Sequence, residues 1–410
     1  MNRRHFIRAL LGTPMLLGSG MGRALAAPSG KTLVVVFLRG GNDGLNMVVP
    51  YGDDAYYQNR PTLGIAAPGS GKANAALDLD GFFGLHPSMG PVLPLYSQGR
   101  MAILPAVHYS GATFSHFDEQ DVVECGSLTD RTSGWLGRYL NLDAATAGQR
   151  AMSLTDNVPK SLTGTSPIPS YASIDGLAVA ESTANQTAMA DFISKTYGAT
   201  PNGASPYGSM LHTTGLNMLA DIDRLNSVAA MLPENGAIYP DSPFGIGMQQ
   251  AAALIKSGMG LEVLTLGYGS WDTHSSQGAG EPEGAHAQLM DTLARAVSAF
   301  FTDLGAASSS VLLLVQTEFG RTVAENDSGG TDHGFASAWM AFGDNVQGGM
   351  HLGTGGWPGL AADNLYNGRY LNFNVDFRDV YAEIFTGFMG ATNLSSLLPG
   401  YVPRAVGFVA

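Results

Sequence analysis

Short apolar runs with little polar alternation recur along the chain. They fall at 33–38 (LVVVFL), 101–105 (MAILP), 262–266 (EVLTL), 311–316 (VLLLVQ) and about 338–342. A run apolar on successive residues suits a strand covered on both faces, as in a largely parallel sheet. Between these runs the spacing turns helical. The pattern predicts helices over 87–98, from Ser115 or His116 to about Cys125, at 183–197, 205–232 and 244–258, at 285–304, and a last one at 376–389. Strands alternating with helices over more than 300 residues indicate a doubly wound α/β sheet. Residues 126–203 are rich in Ser, Thr, Gly and Pro and read as an inserted helical and irregular cap. Neither half carries a whole sheet, so 27–410 reads as one domain.

Composition narrows the class. Apolar residues make up 45% and charged residues 13% of the 410, against roughly 25% charged in ordinary soluble domains. That supports a large core and excludes disorder. The formal charge of −13 supplies no basic footprint, which argues against a nucleic-acid partner. The single cysteine, Cys125, forbids an intrachain disulfide and a cysteine-cluster metal site.

The first 26 residues read as an export signal. Arg3, Arg4 and Arg8 precede a modest apolar stretch broken by Gly and Pro, and Ala24-Leu25-Ala26 supplies a small-residue cleavage site. The Arg-Arg-x-Phe-Ile-Arg string resembles a twin-arginine signal, which implies a periplasmic or secreted protein. No later stretch has the 18 or so unbroken apolar residues of a membrane span, so none is expected in the mature chain.

Ligands of open α/β sheets bind beyond the carboxyl ends of the strands. The residues just past each apolar run are therefore informative. After 33–38 come Arg39 and Asp43; after 101–105 come His108, Thr113, Ser115 and His116; after 262–266 come Asp272 and His274; after 311–316 come Glu318 and Arg321; and Asp332 and His333 precede the next run. Each residue alone has a plain reading: Asp43 as a turn former, Ser115 as a helix N-cap, Glu318 and Arg321 as an ion pair. Together they bring carboxylate, imidazole and hydroxyl groups to one sheet edge. That combination suits a divalent ion, zinc best by donor type, which polarises a phosphoryl or sulfuryl oxygen.

Seven strings carry a family resemblance: FLRGGNDGLNMVVP, LHPSM, SHFDEQD, GWLGRYL, WDTH, TEFGRT and GTDHG. Together they resemble the DUF1501 family, which in turn looks like a branch of the alkaline phosphatase/sulfatase superfamily. The resemblance implies a three-layer α/β/α fold. It implies metal ligands at Asp43, Asp272, His274, Glu318 and His333, and a nucleophile at Ser115, with Thr113 the alternative. It also implies an anionic ester substrate. Where that superfamily has an Asp-His pair, this chain has Glu318-Phe319. Arg39 or Arg321 would then supply positive charge in place of a second ion. The resemblance leaves two functions open. One is an exported metal-dependent hydrolase of phosphate or sulfate esters. The other is a non-catalytic exported binding or assembly protein, with a DUF1800-type partner. Asp332, His116, His86 and His108 are further polar candidates without an assigned role.

Overall fold

The computed structural model describes residues 30–143, 150–165, 167–177, 183–198 and 208–410, so the expected signal lies outside the described residues. Among the described residues, eleven strands occur in chain order. They are β1 (Thr32–Leu38), β2 (Val48–Val49), β3 (Leu77–Asp78), β4 (Gly84–Leu85), β5 (Met101–His108), β6 (Ala151–Leu154), β7 (Val263–Tyr268), β8 (Val311–Thr317), β9 (Ser337–Phe342), β10 (Gly349–Met350) and β11 (Val375–Asp376). Eight form the main sheet in the order β10-β5-β9-β8-β1-β7-β6, with β11 also on β5, and β2, β4 and β3 make a small antiparallel sheet. β1 pairs in parallel with β7 and β8 along its length. β9 runs antiparallel between β5 and β8. The four runs expected as interior strands of one sheet (33–38, 101–104, 263–266 and 311–315) therefore lie in it and point the same way.

The unbroken apolar runs are explained by two cores, one on each face of the sheet. In β1, Val34, Val36 and Leu38 face a core completed by Met248 and Leu254 of the helix Pro243–Lys256 and by Leu293 and Val297 of the helix Ala285–Leu304. Leu33, Val35 and Phe37 face the other core, with Val122, Trp135, Phe377 and Tyr381. Helices on both faces make a three-layer α/β/α fold with a mostly parallel sheet. Each fully buried Leu, Val or Phe contributes roughly 1.5–3 kcal/mol, so this double burial is the main stabilising term.

Three local expectations need correction. β5 runs on through Pro105 to His108, with a register irregularity between Leu104 and Val107 that accommodates a residue lacking an N–H. The helix expected over 376–389 is α-helical only over Phe377–Glu383, then widens into a π-helical turn over Ile384–Phe388, and Leu394–Leu397 forms a later helix. Within the 126–203 stretch, Ala151–Leu154 is a sheet strand parallel to β7, and the helix Trp135–Leu140 buries Trp135 in the second core.

Candidate metal centre

The carboxyl ends of β1, β7 and β8 lie side by side, and the loops leaving them build the site. After β1 the chain turns through Gly40 and Gly41, both at positive φ (124° and 70°). A Cβ on Gly40 would lie 2.6 Å from the Asp272 backbone N, and one on Gly41 would overlap the Phe319 ring. Only glycine lets this turn pack so closely against its two neighbours. Arg321, 1% exposed, ties the loops together. Its Nε donates to Gly41 O (2.6 Å), and its Nη2 to Trp271 O (3.1 Å), to Gly40 O and to Asp272 Oδ1 (2.5 Å). A backbone bridge between Arg321 and His333 folds the 330–334 loop back over the strand end.

Asp272 is the centre of the cluster. His116 Nε2 lies 3.5 Å from its Oδ2, His333 Nε2 3.4 Å from its Oδ1, and His274 Nε2 3.0 Å from Oδ1. The ligand atoms of His116, Asp272 and His333 all fall within 4.8 Å of one another. A tetrahedral site with bonds of about 2.0–2.1 Å has ligand–ligand edges of roughly 3.3–3.4 Å. His333 Nε2 stands near that distance from Asp272 Oδ1 and His116 Nε2 from the other oxygen, Oδ2, while the triad as a whole spreads over up to 4.8 Å and would draw in around an ion.

Each imidazole is held through its other nitrogen. His116 Nδ1 lies 2.8 Å from Glu318 Oε1, and His333 Nδ1 lies 2.8 Å from the carbonyl of Phe114. Both acceptors require an Nδ1–H, which in the neutral ring leaves Nε2 with a bare lone pair. Those two Nε2 atoms are buried and have no hydrogen-bond partner. An orphaned pair of imidazole lone pairs beside a carboxylate is costly unless a cation joins them. His274 follows the same plan more loosely, with Nδ1 3.5 Å from Asp332 Oδ1. A two-nitrogen, one-oxygen donor set suits zinc or a similar borderline divalent ion.

The electrostatics are consistent with ionised carboxylates. Burial opposes ionisation of Asp272, yet the hydrogen bond and charge of Arg321 outweigh it and hold the carboxyl below its usual value. Glu318 is likewise lowered: burial opposes, and hydrogen bonds from His116, Gln120 and Gly40 prevail. The hydrogen bond to Glu318 raises the pKa of His116, while burial lowers that of His333.

The expected residues divide into three groups. Asp272, His274 and His333 come together as neighbours, and His116, which had no assigned role, joins them. Glu318 and Arg321 stand immediately behind. Asp43 does not reach this cluster, because it is consumed elsewhere. It is fully buried, with Arg60 Nη1 2.7 Å from its Oδ2, Arg60 Nη2 2.9 Å from Oδ1, and Gln277 Nε2 2.6 Å from Oδ2. The cation beside Asp43 is thus a guanidinium. Arg39 binds Gln120 (2.7 Å) and Glu124 (2.8 Å), bracing the helix His116–Cys125. Ser115 precedes that helix and its hydroxyl makes no capping bond, whereas Thr113 Oγ1 donates to Glu119 (3.1 Å). His86 caps the turn at Pro87, accepting from Ser88 N, and His108 packs edge-on against Phe335. Arg60, Gln277 and the seat formed by Phe319 carry no sequence signal, since each gains its role only from a partner more than 200 positions away or on a different loop.

The fold resembles solved structures at low similarity. One is Ps i-CgsB in complex with k-i-k-neocarrahexaose (11% identity, 90% of this chain and 74% of that one, TM-score 0.39). Another is the phosphonate monoester hydrolase of Agrobacterium radiobacter (8% identity, 92% and 78%, TM-score 0.34). No curated protein matches the sequence significantly. A family model described as "Protein of unknown function (DUF1501)" matches residues 64–397, most of the chain, and the protein therefore belongs to the DUF1501 family.

Proposed function

We propose that the protein is an exported, metal-dependent hydrolase of phosphate or sulfate esters. The observation that carries this reading is the pair of orphaned Nε2 atoms of His116 and His333 on either side of the Asp272 carboxylate. His116, Asp272 and His333 would hold the ion, with His274 at its edge. Bound there, a divalent ion would polarise a phosphoryl or sulfuryl oxygen as a Lewis acid. Arg321 keeps Asp272 ionised and adds fixed positive charge beside it. Ser115 offers a hydroxyl free of any cap bond at the start of a ten-residue helix, where the dipole favours an anionic group. With three protein ligands the centre keeps an open position, the layout of a catalytic rather than a sealed site.

The roles separate in two variants assayed on aryl phosphate and aryl sulfate esters. Ser115→Ala should lose hydrolysis and keep its metal, because the hydroxyl acts as nucleophile and not as ligand. His333→Ala should lose both. Undiminished turnover in Ser115→Ala would remove Ser115 from the mechanism and move attention to Thr113. The second reading, a non-catalytic exported binding or assembly protein with a DUF1800-type partner, is favoured by one observation: Asp43 is already neutralised by Arg60. Metal-loaded protein that hydrolyses neither ester would select it.

Export belongs to the same proposal. Replacing Arg3 and Arg4 by Lys should leave the folded chain in the cytoplasm, as followed by cell fractionation. Normal appearance in the periplasm would remove the twin-arginine route.

A further inference from the structure

We infer that Glu318 and Phe319 are positioning residues that together seat His116 and His333 for a single ion. The inference rests on the proposed metal centre. The dipeptide stands where the family resemblance leads one to expect an Asp-His pair, and the geometry gives it a different task.

Glu318 follows the end of β8 and is 1% exposed. Its Oε1 accepts from His116 Nδ1 (2.8 Å), Gln120 Nε2 (2.9 Å) and Gly40 N (2.9 Å), and its Oε2 from Thr317 Oγ1 (3.0 Å). Both oxygens are thus engaged by the protein, and the carboxylate lies on the side of the ring away from Nε2. A neutral imidazole otherwise chooses between two tautomers, and only the one protonated on Nδ1 offers Nε2 as a ligand. Glu318 makes that choice. Gln120 is itself held by Arg39, so the acceptor is fixed from behind.

Phe319 sets the ring planes. Its side chain is 1% exposed, and its ring centre lies 4.8 Å from that of His116 and 4.9 Å from that of His333, tilted 34° and 38°. The two imidazoles stand 4.3 Å apart at 72° to each other. One flat apolar surface thus contacts both rings and prevents either from rotating away from Asp272. Gly41, lacking a Cβ, makes room for it.

The test has two arms. In the first, ¹⁵N NMR of histidine-labelled, metal-free protein reads the tautomer of His116. Protonation at Nδ1 is expected in the wild type, with a shift toward the other tautomer in Glu318→Gln. A wild-type His116 protonated on Nε2 would overturn the inference, and this arm needs no variant to fold. In the second, cobalt(II) titration followed by its visible spectrum compares wild type, Glu318→Gln, Phe319→Leu and His333→Ala. Glu318→Gln should bind about 10–100-fold more weakly, the usual effect of removing an outer carboxylate. Phe319→Leu should weaken binding and alter the spectrum. Affinities within twofold of wild type in both variants would refute positioning. Loss in Glu318→Gln as complete as in His333→Ala would make Glu318 a ligand and refute it too. A wild type that takes no cobalt would sink the metal reading, while the tautomer arm would still decide the role of Glu318.

Discussion

Arg60→Met is expected to destabilise the protein by about 3–5 kcal/mol at neutral pH, the cost of stranding one partner of a buried ion pair. Arg60 is 1% exposed and Asp43 0%. The guanidinium makes five contacts: two to Asp43, one to Asn46 Oδ1 (2.6 Å), and one each to the carbonyls of Thr322 (2.9 Å) and Val323 (3.0 Å). Burial alone would raise the Asp43 pKa; the Arg60 charge and hydrogen bonds reverse that and lower it. Without Arg60, Asp43 keeps only the Gln277 amide as a side-chain donor and must stay charged at high cost or take up a proton. Removing both partners, as in Asp43→Leu with Arg60→Met, should cost less than Arg60→Met alone, because an apolar pair leaves no orphan charge. Urea unfolding at pH 7 measures both. A loss below about 1 kcal/mol in Arg60→Met would show that the pair is not the anchor of the β1 loop.

Acidification from pH 7 to 5 is expected to remove on the order of 4 kcal/mol of stability. Burial lowers His86 to about 4 and His108 and His286 to about 3. Unfolded, all three titrate near 6.5. The unfolded chain therefore binds more protons over this range, and stability present above pH 6.5 is lost as the pH falls toward the folded values. By pH 5 each histidine accounts for roughly 2 kcal/mol. Four groups work the other way. Burial raises Asp221 to about 6, returning roughly 1 kcal/mol. Glu124 and Asp379 are raised by burial, and His116 by its bond to Glu318. His108→Phe should remove about 2 kcal/mol of the acid-induced loss, since that ring sits among aromatics and its Nε2 has no partner. Denaturation midpoints that do not move between pH 7 and 5 would mean these histidines are not buried neutral.

The sheet was legible because burial on both faces writes itself into the sequence as an unbroken apolar run. β1 shows why: its odd residues enter one core and its even residues the other, so no position is free to be polar. Ala151–Leu154 carries no strand signal, because four residues among serines and threonines are too few to show a period. The site was legible as a set of residue types at strand ends, but not as an arrangement. A glutamate serves equally as a metal ligand or as the acceptor behind a histidine, and only the position of His116 distinguishes the two at Glu318. Asp43 illustrates the same limit, since the sequence nowhere announces that Arg60 reaches it from 17 residues away.

One divalent ion is expected on His116, Asp272 and His333. Anomalous diffraction at the zinc edge, from crystals of protein loaded with zinc and washed, tests it without a substrate. The expected result is a single strong peak about 2.0–2.2 Å from both Nε2 atoms and from the Asp272 carboxylate. A peak beside Asp43, or none near Asp272, would contradict it.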